Sequence, residues 1–207
     1  MRKIPSIFIR DIKTKKIIPK IRPENNWLFS ETVLPTQKFD GAACAIIDGK
    51  LYKRYDVKKG KKVPENAIPC QQPDIVTGHH PHWVMCKTND PQDKYFWRGF
   101  NNLKHKHNGT YELCGEKING NPERINDHAL LRHGSIILND FNLLDGVNDH
   151  LKDRDEYIFK KIKDYLNTKN IEGIVFYSNS NDKNFRLMMA KIKKKDFGLK
   201  RDTKVYF

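Results

Sequence analysis

Short runs with alternating apolar and polar positions dominate the chain and predict β-strands more often than helices. The runs "GAACAIID" and "KLYKRYD" are joined by an Asp-Gly pair, which favours a two-residue hairpin turn. Such a turn pairs Ile47 with Lys50, and the same counting puts Arg54 across from Ala43. The hairpin should therefore bring Arg54 back beside the segment that starts at Lys38.

A second hairpin is predicted from "IEGIVFYS" and "FRLMMAKIK", two apolar-rich runs joined by "NSNDKN". With that turn the numbers of paired residues sum to about 363, so Glu172 lies near Lys191. Side chains alternate along a strand, so Lys191 and Lys193 share one face. A carboxylate beside two lysines at a strand end suits a site that holds phosphates and a divalent cation.

The remaining pattern adds a helix and a loop-rich region to these strands. Apolar residues recur at helical spacing between Asn148 and Asn167, and Asn148 is a candidate N-cap. "GTYELC" predicts another strand, and the segment 57–108 is predicted to be rich in loops and anchored by aromatic side chains. Strands and helices do not alternate regularly, which predicts an α+β fold. Because no repeat or linker is present, residues 1–207 are expected to form one domain.

The charge of the chain points to a class of partner. Its 207 residues include 39 Lys and Arg against 25 Asp and Glu, a net charge of +14. Such an excess attracts polyanions, so nucleic acid or nucleotides are expected, although a lysine-rich surface that serves solubility has the same composition. No apolar run approaches the ~18 residues of a membrane span, and the N-terminus lacks a signal-peptide pattern. We expect no membrane partner and an intracellular monomer, cytoplasmic or nuclear, including the setting of a virus-infected host cell.

The four cysteines form no C-x-x-C pair, so reduced thiols are expected rather than a disulfide framework. Cys70 and Cys86 bound the stretch "CQQPDIVTGHHPHWVMC", which also contains three histidines. The spacing matches no standard zinc site. Two interpretations stay open for this stretch, a metal site and a partly buried loop rich in histidine.

Lys38 stands in "KFDG", directly before the first hairpin. A lysine amine is almost entirely protonated at pH 7, so its use as a nucleophile requires surroundings that disfavour the ammonium. The predicted neighbours Arg54, Lys191 and Lys193 are cations of the required kind. The same cations would neutralise a triphosphate and stabilise the charge that develops as pyrophosphate leaves. The pattern therefore indicates a lysine nucleophile that acts on a nucleoside triphosphate.

These residues resemble the motifs of covalent nucleotidyltransferases, the superfamily of ATP-dependent ligases and messenger RNA capping enzymes. "KFDG" is similar to the nucleotidyl-lysine motif K-x-D-G, and Arg54 to the arginine on the hairpin strand that follows it. Glu112 in "YELCGE" resembles the glutamate of the third motif, with Glu116 as the alternative. Glu172 in "IEGIV" resembles the fourth motif, and residues 191–193 resemble the fifth motif, K-x-K. The motifs occur in the family's order over most of the chain.

The closest resemblance is to the compact ATP-dependent 5′–3′ RNA ligases of vertebrates and viruses. "INGNP", "RHG", "GHHPHWV" and the "FGL" after the fifth motif carry this likeness. It implies the nucleotidyltransferase (adenylylation) fold of ATP-dependent ligases, with antiparallel sheets and flanking helices, over residues 1–207. Because only eight residues follow "FGL", the C-terminal oligonucleotide-binding (OB) fold of larger relatives is not expected.

The resemblance also implies a reaction in three steps. Lys38 attacks the α-phosphorus of ATP, assisted by Mg²⁺ or Mn²⁺, and becomes a lysyl-AMP phosphoramidate. The AMP passes to the 5′-phosphate of an RNA, and a 3′-hydroxyl then attacks this adenylylated end, which joins the strands and releases AMP. Asp40 and Gly41 shape the turn and help to orient the lysine.

The other motif residues hold the nucleotide in this scheme. Arg54 and Glu112 contact the ribose or the incoming phosphate, and the adenine meets the backbone near Gln37. The two lysines of the fifth motif, Lys191 and Lys193, grip the α-phosphate. Glu172 positions the nucleotide or, through water, the metal ion.

Three alternatives stay open from the sequence. A GTP-dependent mRNA capping guanylyltransferase shares the motifs, but such enzymes use the appended domain to close on the triphosphate. DNA ligation needs the same residues, because a sequence does not weigh a contact to the 2′-hydroxyl. A non-catalytic basic RNA-binding protein would retain the fold and the charge. Loss of Lys38 or of the fifth-motif lysines would favour that last class, and all of them are present.

Overall fold

The computed structural model describes residues 3–29, 33–75, 77–148, 151, 153–178 and 188–202. These residues form an α+β protein with antiparallel sheets, which confirms the predicted fold class. The described strands are β1 (Phe8–Arg10), β2 (Ile17–Ile21), β3 (Val33–Lys38), β4 (Ala42–Ile47), β5 (Lys50–Val57), β6 (Ile68–Pro69), β7 (His80–Met85), β8 (Gly109–Gly115), β9 (His128–Arg132), β10 (Gly173–Ser178) and β11 (Met189–Lys193). The described helices are α1 (Lys94–Asn101) and α2 (Arg154–Thr168), with 3₁₀ helices at Pro23–Phe29, Pro91–Asp93 and Lys194–Phe197.

The chain divides into two compact units. Unit 1 contains Met1–Lys3 and Phe39–His133, and unit 2 contains Ile4–Lys38 and Gly134–Phe207. Strands β4 to β9 and helix α1 belong to unit 1, while β1 to β3, β10, β11 and α2 belong to unit 2. The boundary falls inside "KFDG", because Lys38 is the last residue of its segment in unit 2.

Unit 1 is built on an antiparallel sheet whose described strands run in the order β6-β7-β5-β4-β8-β9. The β4–β5 hairpin has the predicted register, from Ile47–Lys50 to Cys44–Lys53. Both turn residues have positive φ, as a type I′ turn requires. The hydrophobic pattern and the Asp-Gly pair thus predict this hairpin correctly.

The two faces of this sheet differ. Helix α1 packs on one face, where alternate strand residues form a buried cluster: Cys44, Ile46, Leu51, Tyr111, Leu113 and Leu130. Arg54 pairs with Trp83 on β7, and Ala43 pairs with Glu112 on β8. Paired residues project from the same face, and neighbours along a strand project from opposite faces. Arg54 and Glu112 therefore both project from the face opposite to α1.

In unit 2 the described strands of a second antiparallel sheet run in the order β11-β10-β3, so β10 has a partner on each side. Helix α2 and the β1–β2 hairpin share a hydrophobic core with this sheet. The side chains without solvent exposure in this core include Ile7, Phe8, Leu28, Ile158, Ile162, Leu166, Ile174, Phe176 and Ile192. This core fixes the sheet that carries Lys38.

The register of the second hairpin differs from the prediction. Val175 pairs with Lys191 and Gly173 with Lys193, so the paired numbers sum to 366 rather than to about 363. The prediction centred the turn on "NSNDKN", which lies outside the described residues, whereas the pairing is centred later in the chain. Glu172 is consequently level with Lys194, whose backbone N–H donates to its carbonyl at 2.8 Å.

The predicted start of the long helix also needs correction. Helix α2 begins at Arg154, and its N-cap is Asp153 rather than the predicted Asn148. Asn148 lies in a separate turn, in which its carbonyl accepts a hydrogen bond from the N–H of Leu151. The segment 57–108 is rich in loops, as predicted, and it also contains β6, β7 and α1, which the pattern did not predict. Histidine and proline interrupt the apolar alternation of β7. None of the described helices is long and apolar enough to cross a membrane.

Replacement of Ile162 by alanine is expected to lower the free energy of unfolding by about 2–5 kcal/mol, because the side chain has no exposed surface and its loss leaves a cavity. Urea unfolding followed by circular dichroism measures the change. Lys163→Ala, at an exposed position of the same helix, should change stability by less than about 0.5 kcal/mol. Equal effects of the two substitutions would contradict this placement of α2.

Candidate active site

Three neighbouring strands of unit 2 place two lysines on either side of a glycine. Lys38 at the end of β3 pairs with Gly173 of β10, which in turn pairs with Lys193 of β11. Residues paired across antiparallel strands project from the same face, so the two lysines flank a position that has no side chain. The sheet thereby brings both ammonium groups within reach of one shared partner.

That partner is Glu172, the residue before β10. Its Oε2 accepts a hydrogen bond from Lys38 Nζ at 2.5 Å, and its Oε1 accepts one from Lys193 Nζ at 2.8 Å. The side chains of Lys38, Glu172 and Lys193 are 18%, 12% and 23% exposed, so solvent screens these ion pairs less than pairs on the surface. These three residues are called the Lys–Glu–Lys cluster below.

Lys191 adds a third cation to the face of β11 that carries Lys193, as the alternation predicts. Its backbone N–H donates to the carbonyl of Pro5 at 2.9 Å, and its carbonyl accepts from the N–H of Ile7 at 3.0 Å. These bonds join β11 to the segment 5–7 along the strand edge opposite to β10. One carboxylate among three lysines leaves an excess of positive charge, which favours a ligand that carries phosphates.

Gly173 is required by the close approach of β10 and β11. A Cβ at this position would lie 2.1 Å from the carbonyl oxygen of Ile192 and 2.9 Å from the Cα of Lys193. Any side chain would therefore push β11 away and move Lys193 with it. The glycine of "IEGIV" is thus tied directly to the geometry of the Lys–Glu–Lys cluster.

Gln37 precedes Lys38 on β3 and projects from the opposite face of the sheet. It pairs with Ile174 of β10, and its backbone N–H donates to the carbonyl of Ile136 at 2.9 Å. The backbone of β3 is thus bonded on both sides at this position. The contact of adenine near Gln37 stays a prediction.

In unit 1, two side chains of the loop 116–127 hold the turn formed by Asp40 and Gly41. The N–H of Asp40 donates to Glu123 Oε1 at 3.0 Å, and Asp40 Oδ1 accepts from Asn119 Nδ2 at 3.0 Å. The carbonyl of Gly41 accepts from the same amide nitrogen at 3.3 Å. The loop therefore fixes both the backbone and the carboxylate of the turn.

Glu112 on β8 is bound through both of its oxygens. The N–H of Gly41 donates to Oε1 at 3.1 Å, and His133 Nε2 lies 2.8 Å from Oε2. His133 Nδ1 lies 3.0 Å from Thr110 Oγ1, so both ring nitrogens have partners. A Cβ on Gly41 would lie 2.1 Å from the carbonyl oxygen of Leu113, so only glycine lets the turn run this close to β8.

The alternative acid of the third motif, Glu116, lies apart from these contacts. Its side chain is exposed, and its Oε1 accepts the backbone N–H of Asp127 at 3.4 Å. Glu112, by comparison, is buried and contacts the glycine of "KFDG". Of the two acids, Glu112 is therefore the one in contact with "KFDG".

Arg54 shares the sheet face of Glu112, and its ion pair is with Asp56. The distance from Arg54 Nη2 to Asp56 Oδ1 is 3.3 Å, and the arginine side chain is 22% exposed. Its Nε is buried, and none of the described residues accepts a hydrogen bond from it. The guanidinium therefore retains donor capacity for an anionic ligand. Arg54 and Lys38, which the hairpin argument grouped, belong to different units.

Sequence reasoning missed three residues of these contacts: Asn119, Glu123 and His133. Asn119 and His133 lie in "INGNP" and "RHG", which the sequence connects only with a family resemblance, and Glu123 directly follows "INGNP". The available signal was the tight turn "NGN", whose three residues all have positive φ. No spacing rule pairs such a turn with Asp40, because that contact spans 79 residues of sequence.

The histidines between Cys70 and Cys86 bond to backbone carbonyls of the same stretch. His80 Nε2 lies 2.7 Å from the carbonyl oxygen of Gln71, and His82 Nδ1 lies 2.8 Å from that of His80. Across the described part of the chain, no group of three or more His, Cys, Asp or Glu side chains is placed to hold a metal ion. Cys86 instead belongs to the buried cluster under α1.

No model of a known protein family matches the chain. A search of curated protein sequences likewise gives no match. The likeness to nucleotidyltransferases therefore rests on the motif residues themselves, and any function must be inferred from the geometry described above.

Glu172→Gln is expected to lower the free energy of unfolding by about 1–3 kcal/mol, because two partly buried ammonium groups lose the charge that compensates them. Glu24 provides a matched control, since it pairs with Arg22 at 2.9 Å with its side chain 54% exposed. Glu24→Gln should cost less than about 1 kcal/mol, because solvent screens an exposed ion pair. Urea unfolding measures the stability of both variants. Similar losses of unfolding free energy would contradict the role of Glu172 as the partner of two lysines.

Thiol reactivity tests the burial of the cysteines. Burial raises the pKa of the Cys86 thiol to about 12 and raises the pKa of Cys44 well above its usual value, with the charge of Glu112 adding to the second effect. Cys114 is also buried, whereas Cys70 is partly exposed. At about pH 8 a disulfide reagent should therefore modify one thiol per native chain and four after denaturation. Rapid modification of two or more native thiols would contradict this arrangement.

Proposed function

We propose that the protein is an ATP-dependent RNA ligase that joins 5′-phosphate and 3′-hydroxyl ends through a lysyl-AMP intermediate. The observation that carries this proposal is the Lys–Glu–Lys cluster. It unites the lysine of K-x-D-G, the glutamate of the fourth motif and the second lysine of K-x-K, although Lys38 and Glu172 are 134 residues apart in sequence. A chance match of short motifs gives no reason for their side chains to meet.

In this proposal residues 1–207 form one nucleotidyltransferase domain that includes both compact units. The antiparallel sheets support an assignment to the adenylylation fold of ATP-dependent ligases. Lys38, Lys191 and Lys193, assigned to the nucleophile and to phosphate binding, belong to unit 2, and Glu112 and Arg54 belong to unit 1. The division of these roles follows the boundary inside "KFDG".

The first step transfers AMP to the protein. The neutral amine of Lys38 attacks the α-phosphorus of ATP, the bond from that phosphorus to the bridging oxygen breaks, and pyrophosphate leaves. Glu172 is in hydrogen-bond contact with Nζ of Lys38 and can hold the proton that the amine gives up. Lys191 and Lys193 stabilise the negative charge that develops on the phosphate oxygens.

A divalent cation fits this site on the chemistry of its donors. Magnesium is commonly bound through one or two carboxylates together with substrate phosphates, and Glu172 is a carboxylate of this kind. Bound there through water, magnesium or manganese would neutralise phosphate charge. The lysines supply the remaining positive charge from the protein itself.

The residues of unit 1 are assigned to the nucleotide and the RNA end. Arg54 has a buried Nε with no acceptor among the described residues, which supports a role in binding the ribose or a phosphate. Glu112 is held by Gly41 and His133, which orients its carboxylate for a hydroxyl donor. The net charge of +14 supports electrostatic tracking of an RNA backbone.

The later steps return the lysine to its starting state. An oxygen of the RNA 5′-phosphate attacks the phosphorus of lysyl-AMP, the P–N bond breaks, and the amine of Lys38 recovers a proton. The 3′-hydroxyl of the second strand then attacks the 5′-phosphorus of the adenylylated end. A phosphodiester forms, the hydroxyl proton is lost, and AMP leaves.

The proposal predicts that the purified protein takes label from α-labelled ATP in the presence of a divalent cation and without RNA. The label should survive denaturation, because the phosphoramidate bond is covalent. Lys38→Arg retains the positive charge but removes the nucleophilic amine, so it should abolish labelling. Gel electrophoresis of the denatured protein measures the incorporated label.

Lys53 offers a matched control for this experiment. Its side chain is 20% exposed and its Nζ lies 2.5 Å from a carboxylate oxygen of Asp93, so it resembles Lys38 in burial and pairing. Lys53→Arg should retain labelling. Label from GTP alone would instead favour a capping guanylyltransferase, and no label from either nucleotide would leave a basic RNA-binding protein.

A further inference from the structure

The lysine that follows the K-x-K motif is buried. Lys194 is 6% exposed, whereas its neighbour Lys195 is exposed. A run such as "KIKKK" is ordinarily expected to project its charges into solvent. The burial of Lys194 therefore differs from this expectation and needs a physical explanation.

Lys194 holds the segment between α2 and Glu172 at both ends. Its backbone N–H donates to the carbonyl of Glu172 at 2.8 Å, and its Nζ donates to the carbonyl of Lys169 at 2.5 Å. Lys169 is the C-cap of α2, so the ammonium lies at the end of the helix where the dipole favours positive charge. Lys194 is therefore bonded to both ends of this segment, whose Asn170 is held by Arg201 and Asp202.

The 3₁₀ helix Lys194–Phe197 in turn fixes Lys194. The N–H of Leu199 donates to the carbonyl of Lys194 at 3.2 Å. Directly before this helix, the backbone N–H of Lys193 donates to Asp196 Oδ2 at 2.9 Å, and the same carboxylate pairs with Arg10. The corner after β11 is thus bonded to the cluster through Lys193 and to Glu172 through Lys194.

The ammonium of Lys194 is costly where it lies. Burial and the nearby charge of Arg201 lower the pKa of Lys194. An apolar side chain of similar volume usually stabilises a buried position as well as or better than a charged one. A contribution to fold stability alone therefore does not account for a lysine here, whereas a fixed position for Glu172 does.

We infer that Lys194 is a positioning residue for the proposed reaction, because it sets the place of Glu172 and thereby of the ammonium groups of Lys38 and Lys193. This inference rests on the proposed function. Lys194 does not touch the reacting atoms; it acts through the carboxylate. Loss of its ammonium removes the bond to the carbonyl of Lys169 and so loosens the position of Glu172 and of the Lys–Glu–Lys cluster.

The test compares Lys194→Met, which retains side-chain length without the charge, with Lys195→Met at the exposed neighbouring position. The rate of label transfer from ATP to Lys38 should fall about 10- to 100-fold in Lys194→Met, since small displacements of reacting groups have effects of this size. The rate should stay within about twofold of wild type in Lys195→Met. An unchanged rate in a folded Lys194→Met protein would overturn the inference.

A double-mutant cycle with Glu172→Gln separates positioning from general damage. If Lys194 acts through Glu172, Lys194→Met should cause no further loss of rate in a Glu172→Gln background. A merely structural role would give losses that multiply. Such independent losses would overturn the inference even if each single variant is slow.

A second measurement, which needs no enzymatic activity, separates this test from the test of the ligase proposal. Acylation of lysines by an amine-reactive acetate ester, followed by peptide mass spectrometry, reports how strongly each amine is held. The amine of Lys38 should react several-fold faster in Lys194→Met than in Lys195→Met, because it loses its carboxylate partner. Lys161 serves as the internal reference in each protein.

The outcomes are then separable. A wild-type protein that takes no nucleotide label but shows the faster acylation of Lys38 in Lys194→Met would refute the ligase proposal and support the positioning role. Unchanged acylation of Lys38 would overturn the positioning role whatever the labelling result. If Lys194→Met does not fold, Lys194→Gln, which retains a shorter donor, takes its place with the same expected directions.

Discussion

The bidentate use of Glu172 is the interaction on which the candidate site depends. A carboxylate has two oxygens, and here each one holds the ammonium of a lysine from a different strand. The strand pairing of β3, β10 and β11 brings the lysines close, but like charges so near to each other would repel without a shared anion. The core of unit 2 fixes the sheet, the sheet fixes the lysines, and the carboxylate makes their proximity tolerable.

Unit 1 uses the same device with different partners. Glu112 binds the backbone of Gly41 with one oxygen and the ring of His133 with the other. In both units the side chain of an acid, Glu112 within β8 and Glu172 directly before β10, joins segments that are far apart in sequence. The two carboxylates thus serve as crosslinks between elements, a use that places functional groups accurately because each crosslink is short, directional and partly shielded from solvent.

Local rules of sequence predicted part of this arrangement. The Asp-Gly turn fixed the register of β4 and β5, since a two-residue loop leaves no freedom in pairing. The longer connection between β10 and β11 left that freedom, and the predicted register was three positions off. Alternation alone still put Lys191 and Lys193 on one face. The contacts of Asn119, Glu123 and His133 could not be predicted, because they depend on how a loop folds back over a distant turn. The burial of Lys194 was missed because its local sequence, a run of lysines, is typical of an exposed charge.

The pairing of Lys38, Gly173 and Lys193 has a consequence for how such a protein can vary over time. Insertions and deletions in the connections between strands change loop length at a small entropic cost and leave the strand registers intact. A single-residue insertion within β10 or β11 would instead reverse the facing of every later side chain in that strand. The number of residues within these strands is therefore constrained, whereas the number of residues in the loops between strands is not. Length variation should accumulate in the loops of this chain and be absent from two short strands.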